Sequence, residues 1–163
     1  MRLSVALDGA GWHPAAWREP RARPEELFTA RYWADVITEA ERGLLDFVTI
    51  EDGFSVQSTR TDQVAGRLDA VLIAARVAPV TRHIGLIPTV IVTHTEPFHA
   101  AKAIATLDYA SNGRAGVRVR VSASFNLLYD ACPDSRPIQI QETPSSTSSR
   151  VEYLRMALAD EKT

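Results

Sequence analysis

Cysteine is almost missing from this chain. Its 163 residues include one, Cys132, so no internal disulfide can form. Histidine is scarce too, and no His/Cys grouping has zinc spacing, so no metal site is expected. An excess of charge of one sign is lacking. Eighteen basic against 20 acidic residues leave a net charge of −2, which gives no reason to expect nucleic acid or an anionic membrane surface as partner. No apolar run approaches membrane length. The opening RLSVALDG is too short and too polar for the core of a signal peptide, so the expected location is cytoplasmic. Gly113 and Gly116 do not form a G-x-G-x-x-G turn, and there is no Walker loop. Nor is there a nucleophile elbow or a paired-carboxylate signature.

What is present is an alternation of strand and helix patterns. The length suits one domain with most of an apolar core. Leu3, Val5 and Leu7 alternate with Ser4, Ala6 and Asp8, a first strand over residues 2–8. The segment from Gly9 to Pro24, with four prolines and glycines beyond the first and two tryptophans, reads as loop. Pro24-Glu25-Glu26 is expected to open a helix that continues through Phe28, Tyr32, Val36 and Ala40 to Gly43. DFVTIED, residues 46–52, is the second strand. A second helix is expected from Val64, Leu68, Val71, Leu72 and Ala75, ending at Pro79, before a third strand at 83–89.

The rest is organised around Arg82 to Ser122. Pro97 suits the first turn of a helix, with Thr95 as the expected N-cap. Phe98, Ala101, Ile104, Ala105 and Leu107 make an apolar stripe. Asn112-Gly113 stops it, Gly113 suiting a left-handed cap. Val117, Val119 and Val121 then alternate with Arg118, Arg120 and Ser122 in a fourth strand near 115–122. A repeated βα rhythm means parallel strands with helices outside them.

The run THTEPFHAAKAIATLDYASNGRAG also resembles a segment of the bacterial-luciferase-like, flavin-dependent monooxygenases. It has their Glu-Pro corner, Ala-Thr-Leu-Asp helix and Gly-Arg turn, in that order. The branch it most resembles holds two-component monooxygenases of chelators and organosulfur compounds. The resemblance covers residues 1 to about 123. It implies an α/β fold, in which parallel βα units form the first half of a TIM-like (β/α)8 barrel. A complete barrel typically needs about 250 residues. It further implies oxygenation of a small-molecule organic substrate with dioxygen and reduced FMN, or in other branches coenzyme F420 chemistry. The FMN commonly comes from a separate flavin reductase.

Ligands of parallel sheets bind at the C-terminal strand ends. That rule selects Asp8, Asp52, Thr89 with the corner at Thr93, His94 and Thr95, and Ser122. The resemblance places Asp52 beside a flavin ring, although Asp before Gly is also ordinary turn chemistry. Thr89 and Thr93 offer hydroxyl donors, although threonine also suits strand ends by propensity. His94 is the candidate general acid or base, since its charge changes near neutral pH. The fourth strand departs from the family. Where relatives often read GWNxVTS, Arg118 stands in place of the Asn that commonly faces the flavin. Arg118, Arg120 and Ser122 share one face, which needs anionic partners such as Asp52 or a cofactor, or else faces water.

After Ser124 the composition shifts. CPDSRPIQIQETPSSTSSR reads as linker, and Val151, Leu154 and Leu158 suggest a short last helix. The expected organisation is therefore a half-barrel domain at 1–124 and a divergent tail at 125–163. An open half-barrel exposes sheet edges, so a homo-oligomer or a barrel-completing partner is expected. The competing reading is a non-catalytic half-barrel that binds flavin or a partner, or a non-functional remnant.

Overall fold

Period two divides every strand between two faces, and the burial pattern shows which face the helices cover. In a computed structural model that describes residues 1–13, 15–53, 66–93 and 95–121, four strands pair in parallel. They are β1 (Ser4–Leu7), β2 (Phe47–Ile50), β3 (Gly85–Ile91) and β4 (Arg118–Arg120), in the order β1-β2-β3-β4. Registers Val5↔Val48↔Leu86 and Leu7↔Ile50↔Pro88 align one apolar row beneath the helices. Val48, Ile50, Ile84 and Leu86 are completely buried there. Each such side chain contributes about 1.5–3 kcal/mol relative to exposure. The expected parallel sheet, in sequential order, is what forms.

Three helices cover that row. α1 (Ala30–Arg42) buries Tyr32, Trp33 and Ile37; α2 (Ala70–Val77) buries Ile73, Ala74 and Val77; α3 (Pro97–Ala110) buries Ala100, Ala101, Ile104 and Leu107. Their starts differ from the sequence expectation. Pro24–Glu26 is a single 3-10 turn, and α1 begins only after Thr29. The Thr29 hydroxyl accepts from the Tyr32 N–H at 3.3 Å and donates to the Glu26 carbonyl at 2.7 Å. That N-cap sets the boundary, and Phe28 is left half-exposed outside the helix. A 3-10 turn, Ala16–Arg18, also interrupts the expected loop. At α3 the N-cap is Glu96, with no side-chain cap bond. Thr95 instead donates to the Ile91 carbonyl at 2.6 Å, which ties the corner back to β3. The α3 stop is as expected, with Asn112 and Gly113 both at positive φ, 56° and 80°.

The N-terminal ends of the strands are clamped by side chains that reach across elements. Glu41, from α1, accepts the N–H groups of Arg82, His83 and Ile84 at 2.8, 2.6 and 3.0 Å. These donors precede β3, which is why it starts at Gly85 rather than residue 83. Arg114 engages all five of its N–H groups. Nε donates to the Ser111 carbonyl, Nη1 to Thr81 Oγ1 and the Ile84 carbonyl, and Nη2 to the Ala78 and Thr81 carbonyls, at 2.7–3.2 Å. A planar guanidinium suits such a fan of acceptors. Among the described residues no helix is long and apolar enough to cross a membrane. The tail at 125–163 and its predicted helix lie outside the described residues.

Candidate functional site at the strand C-termini

The face away from the helices carries the polar groups. Along β2 it takes Phe47 and Thr49, and the next residue in that period is Glu51. On β3 and β4 it takes Thr89 and Ile91, in register with Arg118 and Arg120 respectively. The Glu51 side chain is only 2% exposed. Arg118 ion-pairs with its Oε1, and Arg120 Nη1 donates to its Oε2 at 3.2 Å. Two guanidiniums thus converge on one buried carboxylate. The sequence reading left Asp52, an anionic cofactor group or water open as partners of these arginines. The carboxylate they meet is Glu51, which continues the alternation of Phe47 and Thr49, whereas Asp52 is offset by one residue.

Asp52 points toward the start of α2. Its Oδ1 accepts the Gly53 N–H at 2.7 Å and its Oδ2 the Ala70 N–H at 3.0 Å. Burial pushes its carboxyl above the usual range, against the opposing pull of those two N–H groups. Its backbone carbonyl accepts from Arg120 Nη1 at 3.4 Å. Asp52 therefore holds α2 to the end of β2, and its carbonyl, not its carboxylate, meets the arginine cluster.

Thr89 lies at the centre of this face and is 1% exposed. Its Oγ1 is buried with no hydrogen-bond partner among the described residues. A buried hydroxyl normally finds one. Thr93 is buried beyond the end of β3. His94 and Ser122 lie outside the described residues.

Glu51 has a second environment. It lines a cavity of about 200 Å³ with Asp8, Trp12, Trp17, Leu27, Trp33, Arg67 and Ile73. Arg67 Nη2 closes one side on Asp8 Oδ1 at 2.6 Å, and the Trp12 indole donates to the Ala6 carbonyl at 2.9 Å. Sequence reasoning missed Glu51, Arg67 and this tryptophan-lined wall. The alternation Phe47, Thr49, Glu51 carried the signal for Glu51. Nothing local signals Arg67. Among the described residues no group of three His, Cys, Asp or Glu side chains could hold a metal ion.

Comparison with known proteins supplies the context. The sequence profile of luciferase-like monooxygenases matches residues 9–126. The chain is 38% identical over 123 residues to N-acetyl-S-(2-succino)cysteine monooxygenase of Bacillus subtilis (strain 168), across 76% of this chain and 28% of that protein. It is 35% identical over 137 residues to nitrilotriacetate monooxygenase component A of Aminobacter aminovorans, across 77% of this chain and 30% of that one. It therefore spans less than a third of the length of these curated relatives. Its structure superposes on EDTA monooxygenase from Chelativorans sp. BNC1 with a TM-score of 0.81, at 21% identity, over 98% of this chain and 36% of the other. At that identity the likeness is one of fold, and the four parallel strands with their three connecting helices are the first half of a TIM-like (β/α)8 barrel. By the matched profile and the order of its strands, the chain belongs to the luciferase-like monooxygenase family.

Proposed function

We propose that this chain serves a flavin-dependent monooxygenase reaction and supplies one wall of the flavin and substrate site. The observation that carries this is the orphan Thr89 hydroxyl, set on the inner face at the ligand-binding end of the strands. A flavin ring presents carbonyl acceptors and an N–H donor along one edge. A buried hydroxyl beside a guanidinium and the Asp52 carbonyl is chemically suited to it. Reduced FMN, when bound, supplies the electrons with which dioxygen oxygenates an organic substrate.

This chain's own residues orient and bind. Thr89 would donate its hydroxyl to a ring acceptor, Thr93 would flank it, and Arg118, held by Glu51, would add N–H donors at the ring edge. Asp52 fixes the α2 start, so its carbonyl keeps its position at the pocket edge. Ser122, as a further polar contact, and His94, as proton carrier, complete the proposed set, and both lie outside the described residues. The tryptophan-lined cavity lies beside Glu51. At about 200 Å³ it is smaller than the roughly 300–1,000 Å³ of a typical ligand pocket. It holds part of a ligand, and the remaining walls come from outside the described residues, by association with a second copy or a barrel-completing partner. A separate flavin reductase is the proposed source of reduced FMN, and the cytoplasm the proposed location.

The reading is tested by titrating the full chain with FMN and reduced FMN while light scattering records its mass. Binding that strengthens with association and weakens in Thr89→Val supports it. Tight binding by a stable monomer removes the dependence on a partner. Unchanged binding in both Thr89→Val and Arg118→Ala removes this face from the flavin site.

A further inference from the structure

Arg118 and Arg120 share one buried carboxylate, Arg118 on Oε1 and Arg120 on Oε2 of Glu51. Arg120 holds on through Nη1 alone, at 3.2 Å to Glu51 Oε2 and 3.4 Å to the Asp52 carbonyl. Both contacts lie at the long end of the hydrogen-bond range. Its Nε and Nη2, the fork best shaped for a carboxylate, have no partner among the described residues, and the side chain is 52% exposed. One unit of positive charge is left over, anchored to a carboxylate that is itself buried.

We propose that the Arg120 fork is a binding site for a carboxylate of the organic substrate, with Glu51 and Arg118 as the rigid base that aims it. The proposal deepens the monooxygenase reading above and rests on it for the word substrate. The binding chemistry stands on this geometry alone. A guanidinium fork donates to two carboxylate oxygens in parallel, which adds direction to charge. Fixed cationic donors on this inner face favour small organic acids over neutral compounds of the same size.

Citrate is the probe, with its neutral trimethyl ester and inorganic phosphate as comparisons, measured by calorimetry on the full chain without flavin. Citrate should bind, and the ester should not. Arg120→Gln should weaken citrate about tenfold or more, as for loss of a charge-assisted bidentate pair. Arg120→Lys keeps the charge and loses the fork, and should recover only part of that loss. Lys102→Gln, the same charge change on the exposed face of α3, should have no effect.

Equal binding in wild type and Arg120→Gln overturns the proposal. So does full recovery by Arg120→Lys, an equal loss in Lys102→Gln, or phosphate binding more tightly than citrate. Thermal melts of Arg120→Lys and Arg120→Gln that match wild type tie a lost affinity to the site rather than to folding. FMN titrated against Arg120→Gln separates the two readings. Citrate lost with FMN binding kept identifies the carboxylate site alone. FMN binding absent from every variant and from wild type, with citrate binding intact, defeats the flavin reading and leaves the anion site standing.

Discussion

The two ends of the sheet are built on opposite principles. At the N-terminal end the two clamping side chains are fully matched. Arg114 uses all five N–H groups, and one Glu41 oxygen accepts three backbone N–H groups. At the C-terminal end charge is in excess and a hydroxyl is left over. Two arginines share Glu51, and Thr89 Oγ1 has no partner among the described residues. Satisfied networks specify a fold, whereas unmatched polar groups cost stability and remain available to a ligand. The clamp and the proposed site therefore occupy different ends of one sheet, as the barrel architecture allows.

The largest expected effect is at the matched end. Arg114→Ala strips donors from the Ala78, Thr81, Ile84 and Ser111 carbonyls at once. It should cost about 3 kcal/mol or more, read as a lower urea midpoint with unchanged slope. Arg114→Lys should recover less than half, since an ammonium cannot fan across those acceptors. A loss below about 1 kcal/mol in the alanine variant would mean that the clamp is decorative.

At the unmatched end Glu51→Gln should cost about 2 kcal/mol. The figure is below that for a fully buried pair, because both arginines are about half-exposed and partly screened. A cost exceeding that of Arg114→Ala would invert the comparison.

Acid titration sharpens the same contrast through two carboxyls with opposite shifts. Burial pushes Glu41 up, but its three backbone N–H donors win and its pKa falls below the ordinary value. Glu41 therefore adds stability that is present above its unfolded pKa and lost as pH falls through the folded one. Glu41→Gln should flatten the acid limb of a stability–pH curve. Burial holds Asp52 above its ordinary value. Its contribution is largest when protonated and is lost as pH rises through the folded pKa. Asp52→Asn should thus gain stability at pH 7 relative to pH 4, compared with wild type. Each effect should be below about 1 kcal/mol for such partly exposed groups. Urea midpoints across that range check both signs, and same-sign changes would refute the assignment.

Thr89→Val should change stability least. Removing an unpartnered hydroxyl leaves the fold neutral or up to about 1 kcal/mol more stable. A clear destabilisation would show that Oγ1 has a partner after all.

Most of the fold was legible because it is periodic. Val5 and Leu7, Val48 and Ile50, and the Pro97-to-Leu107 stripe announce their elements without tertiary information. The site was less legible, because it depends on where strands stop. Glu51 and Asp52 are adjacent and both acidic, and only the end of β2 at Ile50 decides which faces the arginines and which ties down α2. Thr95 resembled an N-cap, yet the chain turns one residue later and its hydroxyl returns to Ile91. Arg114 sits in the Gly-Arg turn of the recognised segment. Its acceptors, Ala78, Thr81 and Ile84, lie 30–36 residues upstream, beyond the reach of any local pattern.

The strand order carries a consequence for synthesis. β2 pairs with β1, β3 with β2 and β4 with β3, so every strand docks on a predecessor that has already left the ribosome. Chains emerge at about 5–20 residues per second and fold from the N-terminus. No early strand here has to wait for a later one to be inserted beside it. The sheet can grow one βα unit at a time, its advancing edge always the most recently made strand.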